Sequence, residues 1–87
     1  MATIIKSTGE RIEDNRRFLT LEEAQKIAGG WVQVVNMNNN QIMIVNEEGK
    51  LLGLPFNAEA TRIICEALDC VEIIVGDVIL CDNLQFK

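Results

Sequence analysis

The chain lacks histidine altogether and has a single proline, no tyrosine and only eight basic residues. Histidine is the side chain that enzymes use most often as a general base, and it is also a common zinc ligand. The three cysteines show no Cys-x-x-Cys spacing, so a zinc site would need unusual ligands. We therefore expect no catalytic residues, no bound metal and no cofactor.

The cysteines also indicate a compartment. An odd number of cysteines, in a chain with no recognisable secretory signal, is typical of free thiols in a reducing environment. The longest apolar runs fall far below the roughly 20 residues that a membrane-spanning helix needs. The sequence thus predicts a cytoplasmic protein without a membrane partner.

Positive charge is scarce in this chain. Eight lysines and arginines stand against 13 acidic residues, which gives a formal net charge of −5. Proteins that bind nucleic acids without sequence preference cluster basic residues against the phosphates. The arginines near the N-terminus are interspersed with acidic residues instead, so strong nucleic-acid binding is not expected.

The length of the chain, 87 residues, suits one domain over 1–87 and is too short for two. A chain of this size buries only roughly 60–65% of its unfolded surface, which leaves little margin of stability. Pairing of two copies would bury more surface, so a homodimer is a reasonable expectation.

Two segments combine helical spacing with helix-start signals. Thr20 precedes the first, and Glu23 three residues later completes a capping-box pattern, while two glycines stop the helix. Asn57 precedes the second, whose apolar residues fall on one stripe. The sequence predicts helices at about 21–28 and 58–69.

The clearest β-prone segments flank an asparagine-rich turn. Residues 31–35 and 41–45 surround Asn-Met-Asn-Asn-Asn, which predicts an antiparallel hairpin. Both faces of this hairpin carry apolar residues, which indicates a central position in the sheet. Residues 2–6 form a further predicted strand. Residues 71–81 allow two interpretations, either a tight hairpin on Gly-Asp or an extended approach followed by one last strand.

Together these elements predict an α+β fold with a small, mostly antiparallel sheet. We expect both helices to cover one face of that sheet. Residues 7–17 are expected to be less ordered, and their strongly charged part, 10–17, is interpreted as a loop or an exposed edge strand. The polar tail at 82–87 is expected to fray, although its apolar residues offer a way to dock.

The segment 46–57 is the most distinctive part of the sequence. Its Asn-Glu-Glu-Gly start is typical of a turn, in which Gly49 suits a positive φ and the asparagine can bond forward to the backbone. Glu47 and Glu48 are either solvated turn residues or a site for a cation or a hydrogen-bond donor of a ligand. Lys50 lies close to them in sequence and extends this candidate binding site.

Two further residues complete the candidate binding site. Trp31, the single tryptophan, is either part of the core or a half-exposed platform for a base or a partner. Asn57 is either a helix cap alone or also a ligand contact. No motif supplies the acid–base pair or activated nucleophile that catalysis requires, which again predicts a non-enzymatic protein.

Four motifs in combination resemble a family of small phage-encoded domains of unknown function, which also occurs in bacterial mobile elements. They are Gly-Gly-Trp at 29–31, Asn-Glu-Glu-Gly at 46–49, Gly-Leu-Pro-Phe-Asn at 53–57 and Val-Gly-Asp-Val at 75–78. The resemblance implies a viral or mobile-element origin. It supplies no shared catalytic mechanism.

Small phage proteins often act by binding, so the resemblance favours an inhibitor that engages a host protein and counters a host defence system. An acidic surface or an exposed sheet edge would meet that partner. The alternative is an oligomeric protein that sequesters a small nucleotide, with Trp31 stacking on the base. A small enzyme is the third hypothesis.

Overall fold

A computed structural model describes residues 2–15, 18–38, 40–84 and 86. Over those residues the chain forms five strands and two helices, which confirms the predicted α+β class. In chain order the elements are β1 (Ala2–Ile5), β2 (Arg11–Asp14), α1 (Leu21–Ala28), β3 (Val32–Asn36), β4 (Gln41–Asn46), α2 (Ala58–Leu68) and β5 (Val78–Asp82).

Neighbouring strands of the sheet run antiparallel, in the order β2-β1-β5-β4-β3. The predicted hairpin is present as β3 and β4, with Val32 opposite Asn46 and Asn36 opposite Ile42. Its predicted central position is correct for β4 only, because β3 lies at the edge of the sheet. The physical reason is that β3 carries exposed polar side chains, Gln33 and Asn36, whereas β4 is buried at every position after its first.

The two helices lie on opposite faces of the sheet, so the expectation that both cover one face was wrong. Ile44 of β4 packs in one core cluster with Ala24 of α1. The next residue, Val45, points to the other face and packs in a second cluster with Ile64 of α2. Residues 42–45 are all apolar and alternate between the two faces, so burying them requires a cover on each side.

The helix ends follow the predicted capping chemistry. At α1, Thr20 Oγ1 accepts a hydrogen bond from the Glu23 amide (3.2 Å), and Glu23 Oε1 accepts one from the Thr20 amide (2.9 Å). Gly29 ends this helix in the left-handed conformation, at φ 83°. Helix α2 begins after Asn57 and ends at Leu68, one residue earlier than predicted.

The last β segment is a single strand. β5 pairs with both β1 and β4, and residues 71–77 lead into it with one bridge, between Val75 and Phe56. The interpretation of residues 71–81 as an approach followed by one last strand is therefore the correct one. Among the described residues, no helix is long and apolar enough to cross a membrane.

The two segments expected to be less ordered both contribute to the sheet or the core. Within the predicted 7–17 loop, β2 forms an exposed edge strand paired with β1. In the predicted frayed tail, Phe86 is half-buried against the α1-side cluster and bridges to Leu19. Parts of both predictions, at positions 16, 17, 85 and 87, lie outside the described residues.

Candidate functional site

A groove of about 510 Å³ lies on the α2 side of the sheet. It is bounded by β3 and β4, by the C-terminal half of α2, and by the loops at 46–51 and 70–75. We call this site the groove. It is the part of the sheet that α2 leaves uncovered toward the edge strand β3.

The floor of the groove is apolar. Val45 and Ile64 belong to the buried core, and Val35 and Leu68 are half-buried against the same cluster. These side chains come from β4, α2 and β3, so the fold itself holds the floor in place. An apolar floor of this kind suits a ligand that brings apolar surface of its own.

The rim of the groove is charged and mostly acidic. Glu47, Glu48 and Glu72 provide three carboxylates, and Lys50 provides one ammonium group. Lys50 Nζ lies 3.2 Å from Glu72 Oε1, so this ion pair joins the two loops across the rim. The pKa of the Glu72 carboxyl is lowered, chiefly because it accepts a hydrogen bond from the Ile73 amide and also because of Lys50.

Two large apolar side chains stand at the mouth of the groove. Leu51 is 83% exposed and Ile73 is 54% exposed, and both line the groove. Neither belongs to a helix or a strand, so no regular element explains an apolar residue at these positions. Water contact with such side chains is unfavourable, which makes the mouth a candidate for burial by a partner.

Asn46 fixes the loop that carries most of the acidic rim. Its Oδ1 accepts a hydrogen bond from the Glu48 amide (2.8 Å), which is the forward bond that the sequence predicts. Its Nδ2 donates to the carbonyl oxygen of Ala28 (2.9 Å), so the turn is also tied to the end of α1. The second bond was not foreseen, because it joins residues that are far apart in sequence.

Gly49 is required for space rather than for its backbone conformation. Its φ lies outside the left-handed region, so the predicted positive φ was wrong. The residue is buried, and a Cβ there would lie 2.8 Å from Val75 Cγ2. This close approach brings the loop at 46–51 against the loop at 70–75.

Asn57 lies inside the protein, at 0% exposure. Its Oδ1 accepts a hydrogen bond from the Ala60 amide (3.0 Å) and caps α2. Its Nδ2 donates to the carbonyl oxygens of Ile5 (2.9 Å) and Gly76 (2.8 Å). The side chain is therefore fully used by the fold, and Asn57 does not line the groove.

Trp31 is 65% exposed, which decides between its two interpretations in favour of the surface. Its carbonyl oxygen accepts a hydrogen bond from the Glu47 amide (2.8 Å), so the residue begins the edge of the sheet beside the acidic rim. Trp31 itself does not line the groove.

Three of the five candidate binding residues thus meet at the groove: Glu47, Glu48 and Lys50. The opposite loop, with Glu72 and Ile73, could not be predicted from the sequence, because only the fold brings it to the rim. One signal was present in the sequence. Leu51 is a large apolar residue that closely follows a turn pattern, whereas Ile73 lies in a β-prone segment and gave no such signal.

The described part of the chain contains no group of three or more Cys, Asp or Glu residues that could hold a metal ion. The three cysteines are free. Burial raises the pKa of the Cys81 thiol, which makes its reactive thiolate form less accessible. The groove offers hydrogen-bonding groups, charge and apolar surface.

The structure defines a small α+β domain with an open groove on one face of its sheet. The chain belongs to the family described as Domain of unknown function (DUF3846), which matches residues 2–85. The resemblance to a family of small domains of unknown function is confirmed at this level. No curated protein matches the chain, and no solved structure matches it.

Proposed function

We propose that this protein is a non-enzymatic binding module whose groove engages another protein. The observation that carries the proposal is the apolar mouth, where Leu51 and Ile73 stand exposed above an apolar floor. The resemblance to phage domains extends the proposal to a viral inhibitor that meets a host protein, in a role such as countering host defence. The free cysteines agree with a reducing cytoplasm as its place of action.

The energetic basis is burial of the mouth and floor. Fully burying one large aliphatic side chain contributes about 1.5–3 kcal/mol. Covering Leu51 and Ile73 together therefore supports binding of useful strength, provided that the partner supplies apolar side chains. The charged rim then selects among apolar partners, because a partner without positive charge to match the rim carboxylates binds less favourably.

The groove suits a protein segment better than a nucleotide, which is the alternative hypothesis. A phosphate would meet three rim carboxylates, and the single rim ammonium group of Lys50 is already paired with Glu72. Arg62, the other basic residue near the segment, donates to Glu59 (2.7 Å) and Glu66 (2.8 Å). Exposed Trp31 favours base stacking, but it does not line the groove.

The experiment that tests this proposal compares variants of the mouth in affinity capture. Tagged wild type, Leu51→Asp and Ile73→Asp are incubated with host lysate, and retained proteins are quantified by mass spectrometry. Leu84→Asp is the matched control, because Leu84 is also an exposed apolar residue (79%) but does not line the groove. Exposed positions tolerate such changes within about 0.5 kcal/mol of folding stability.

We expect a specific protein that wild type and Leu84→Asp retain and that both mouth variants lose by about tenfold or more, in line with one buried aliphatic side chain. Retention that is equal in all four proteins would rule out the groove as the binding site. A thermal shift with a panel of nucleotides, absent from Leu51→Asp, would support the nucleotide alternative instead.

A further inference from the structure

The two edges of the sheet differ sharply in charge. Edge strands expose unpaired backbone groups, and proteins usually protect them with charged residues, prolines or a cover. β2, at one edge, has the sequence Arg-Ile-Glu-Asp and is protected in this way. β3, at the other edge, has the sequence Val-Gln-Val-Val-Asn, with no charge and no proline. One edge is therefore closed to further pairing by its charges, and the other is left open.

The backbone groups of β3 that face outward can be assigned. The carbonyl oxygen of Trp31 accepts a hydrogen bond from the Glu47 amide. At the other end, the Met37 amide donates to the carbonyl oxygen of Gln41 (2.9 Å), so the backbone polar groups of Trp31 and Met37 point toward β4. Along an antiparallel edge strand, the N–H and C=O groups of successive residues point alternately toward the paired strand and away from the sheet. Residues 33 and 35 therefore also face β4, whereas Val32, Val34 and Asn36 direct their N–H and C=O groups away from the sheet.

The open edge borders the groove. Gln33 and Val35 of β3 line the groove, so residues of an added strand that pair with them would place their side chains on the groove face. There they would meet the apolar floor and the exposed mouth. The edge and the groove thus form one continuous surface for an extended chain.

We propose that the partner binds as an added β-strand on β3, and that this strand carries apolar side chains toward the groove and lysine or arginine toward its rim. This inference rests on the proposed function and names the partner's chemistry. Main-chain hydrogen bonds between the added strand and Val32, Val34 and Asn36 set the register of that strand on β3. The carboxylates of Glu47 and Glu48 select for positive charge.

A second copy of this chain fits the surface less well. Each copy has a net charge of −5, so two copies repel at long range. Antiparallel pairing of two β3 strands about Val34 would bring the start of the hairpin turn, at Met37 and Asn38, beside the acidic rim of the other copy. That turn contains only methionine and asparagine, so the rim carboxylates would find no positive partner.

The test uses substitutions at Val34, whose side chain is 38% exposed and whose amide points away from the sheet. Val34→Pro removes no hydrogen bond of the sheet, because proline is tolerated at an edge position whose N–H points to solvent. It removes one donor for the added strand and obstructs its approach. Val34→Thr keeps the amide and the branched side chain and is the matched control. Val34→Lys is a second blocking variant that keeps the backbone unchanged and places a charge on the edge.

The probe is a displayed library of random peptides of about 12 residues, selected on immobilised wild-type protein. We expect enriched peptides to alternate apolar residues with other residues and to contain lysine or arginine. A synthetic copy of the strongest peptide should bind wild type and Val34→Thr alike, and Val34→Pro and Val34→Lys at least about tenfold more weakly. Amide hydrogen exchange should slow at Val32, Val34 and Asn36 when the peptide is bound.

Several outcomes would overturn the inference. One is that the selected peptide binds wild type and Val34→Pro equally. Another is that the library yields acidic peptides or no enriched peptide. Self-association of the wild type that Val34→Pro abolishes would assign the edge to a second copy. If Val34→Pro captures the same lysate protein as wild type while Leu51→Asp does not, the groove function stands and the added strand is rejected.

Discussion

Asn57 holds together three parts of the fold. Its side chain caps α2 and bridges the carbonyl oxygens of Ile5 in β1 and Gly76 before β5. It lies at 0% exposure, so no water can replace the lost bonds without entering the core. We predict that Asn57→Ala destabilises the protein far more than removal of an ordinary helix cap.

The magnitude follows from the bonds. Loss of the cap costs about 1 kcal/mol. Removing the amide also takes a donor from two buried carbonyls, which costs about 1–3 kcal/mol for each if they stay unsatisfied. The expected loss for Asn57→Ala is therefore about 3–7 kcal/mol. A domain of this length has a stability of about 4–13 kcal/mol, so the variant should be marginal.

Urea denaturation followed by circular dichroism measures the effect, with two controls. Thr20→Ala removes an exposed cap with no bridging bonds and should cost about 1 kcal/mol. Asn57→Ser keeps a capping oxygen but cannot bridge both carbonyls, so its stability should lie between that of Asn57→Ala and wild type. If Asn57→Ala costs no more than Thr20→Ala, the bridging role assigned to Asn57 is refuted.

Two further predictions concern the loops around the groove. Gly49→Ala should cost about 1–3 kcal/mol through its clash with Val75, and the additional change Val75→Ala should recover part of that loss in urea denaturation. Because the pKa of Glu72 is lowered in the folded state, its contribution to stability is present above the unfolded-state pKa and is lost as pH falls through the folded-state pKa. Glu72→Gln should therefore be less stable than wild type at neutral pH, and the difference should shrink in acid. An unchanged difference across that pH range would contradict the lowered pKa of Glu72, and no dependence on added salt would contradict its pairing with Lys50.

The sequence predicted both helices closely because their signals are local. The capping box at Thr20 and the cap at Asn57 lie next to the elements that they start, and each bond joins residues three apart. Backbone chemistry of this kind depends little on the rest of the fold. The hairpin was predicted for the same reason, since its two strands flank one short turn.

The arrangement of these elements was harder to predict. Both helices were expected on one face, although the unbroken apolar run at 42–45 already indicates a strand that is buried on both faces. The position of β3 at the edge depends on β5, which comes from the far end of the chain and pairs with both β1 and β4. Pairings over such distances leave no local signal.

The candidate site was predicted in part. Glu47, Glu48 and Lys50 were named because the turn stands out in sequence, and the fold brings them to one rim. Their partner Glu72 was missed, because a contact 22 residues away requires the packing of Gly49 against Val75. Asn57 was named as a candidate ligand contact, but its side-chain hydrogen bonds all go to the protein backbone, so its role is structural.

The most direct test of the groove as a binding surface is site-specific photo-crosslinking. A photoreactive benzoylphenylalanine is placed at position 51 or, as the control, at position 84, and each protein is irradiated in host cells. Both positions are highly exposed, but only Leu51 lines the groove. We predict a discrete crosslinked protein from position 51 that is absent from position 84 and is lost when Ile73→Asp is added. No crosslink at position 51, or the same products from both positions, would contradict the account.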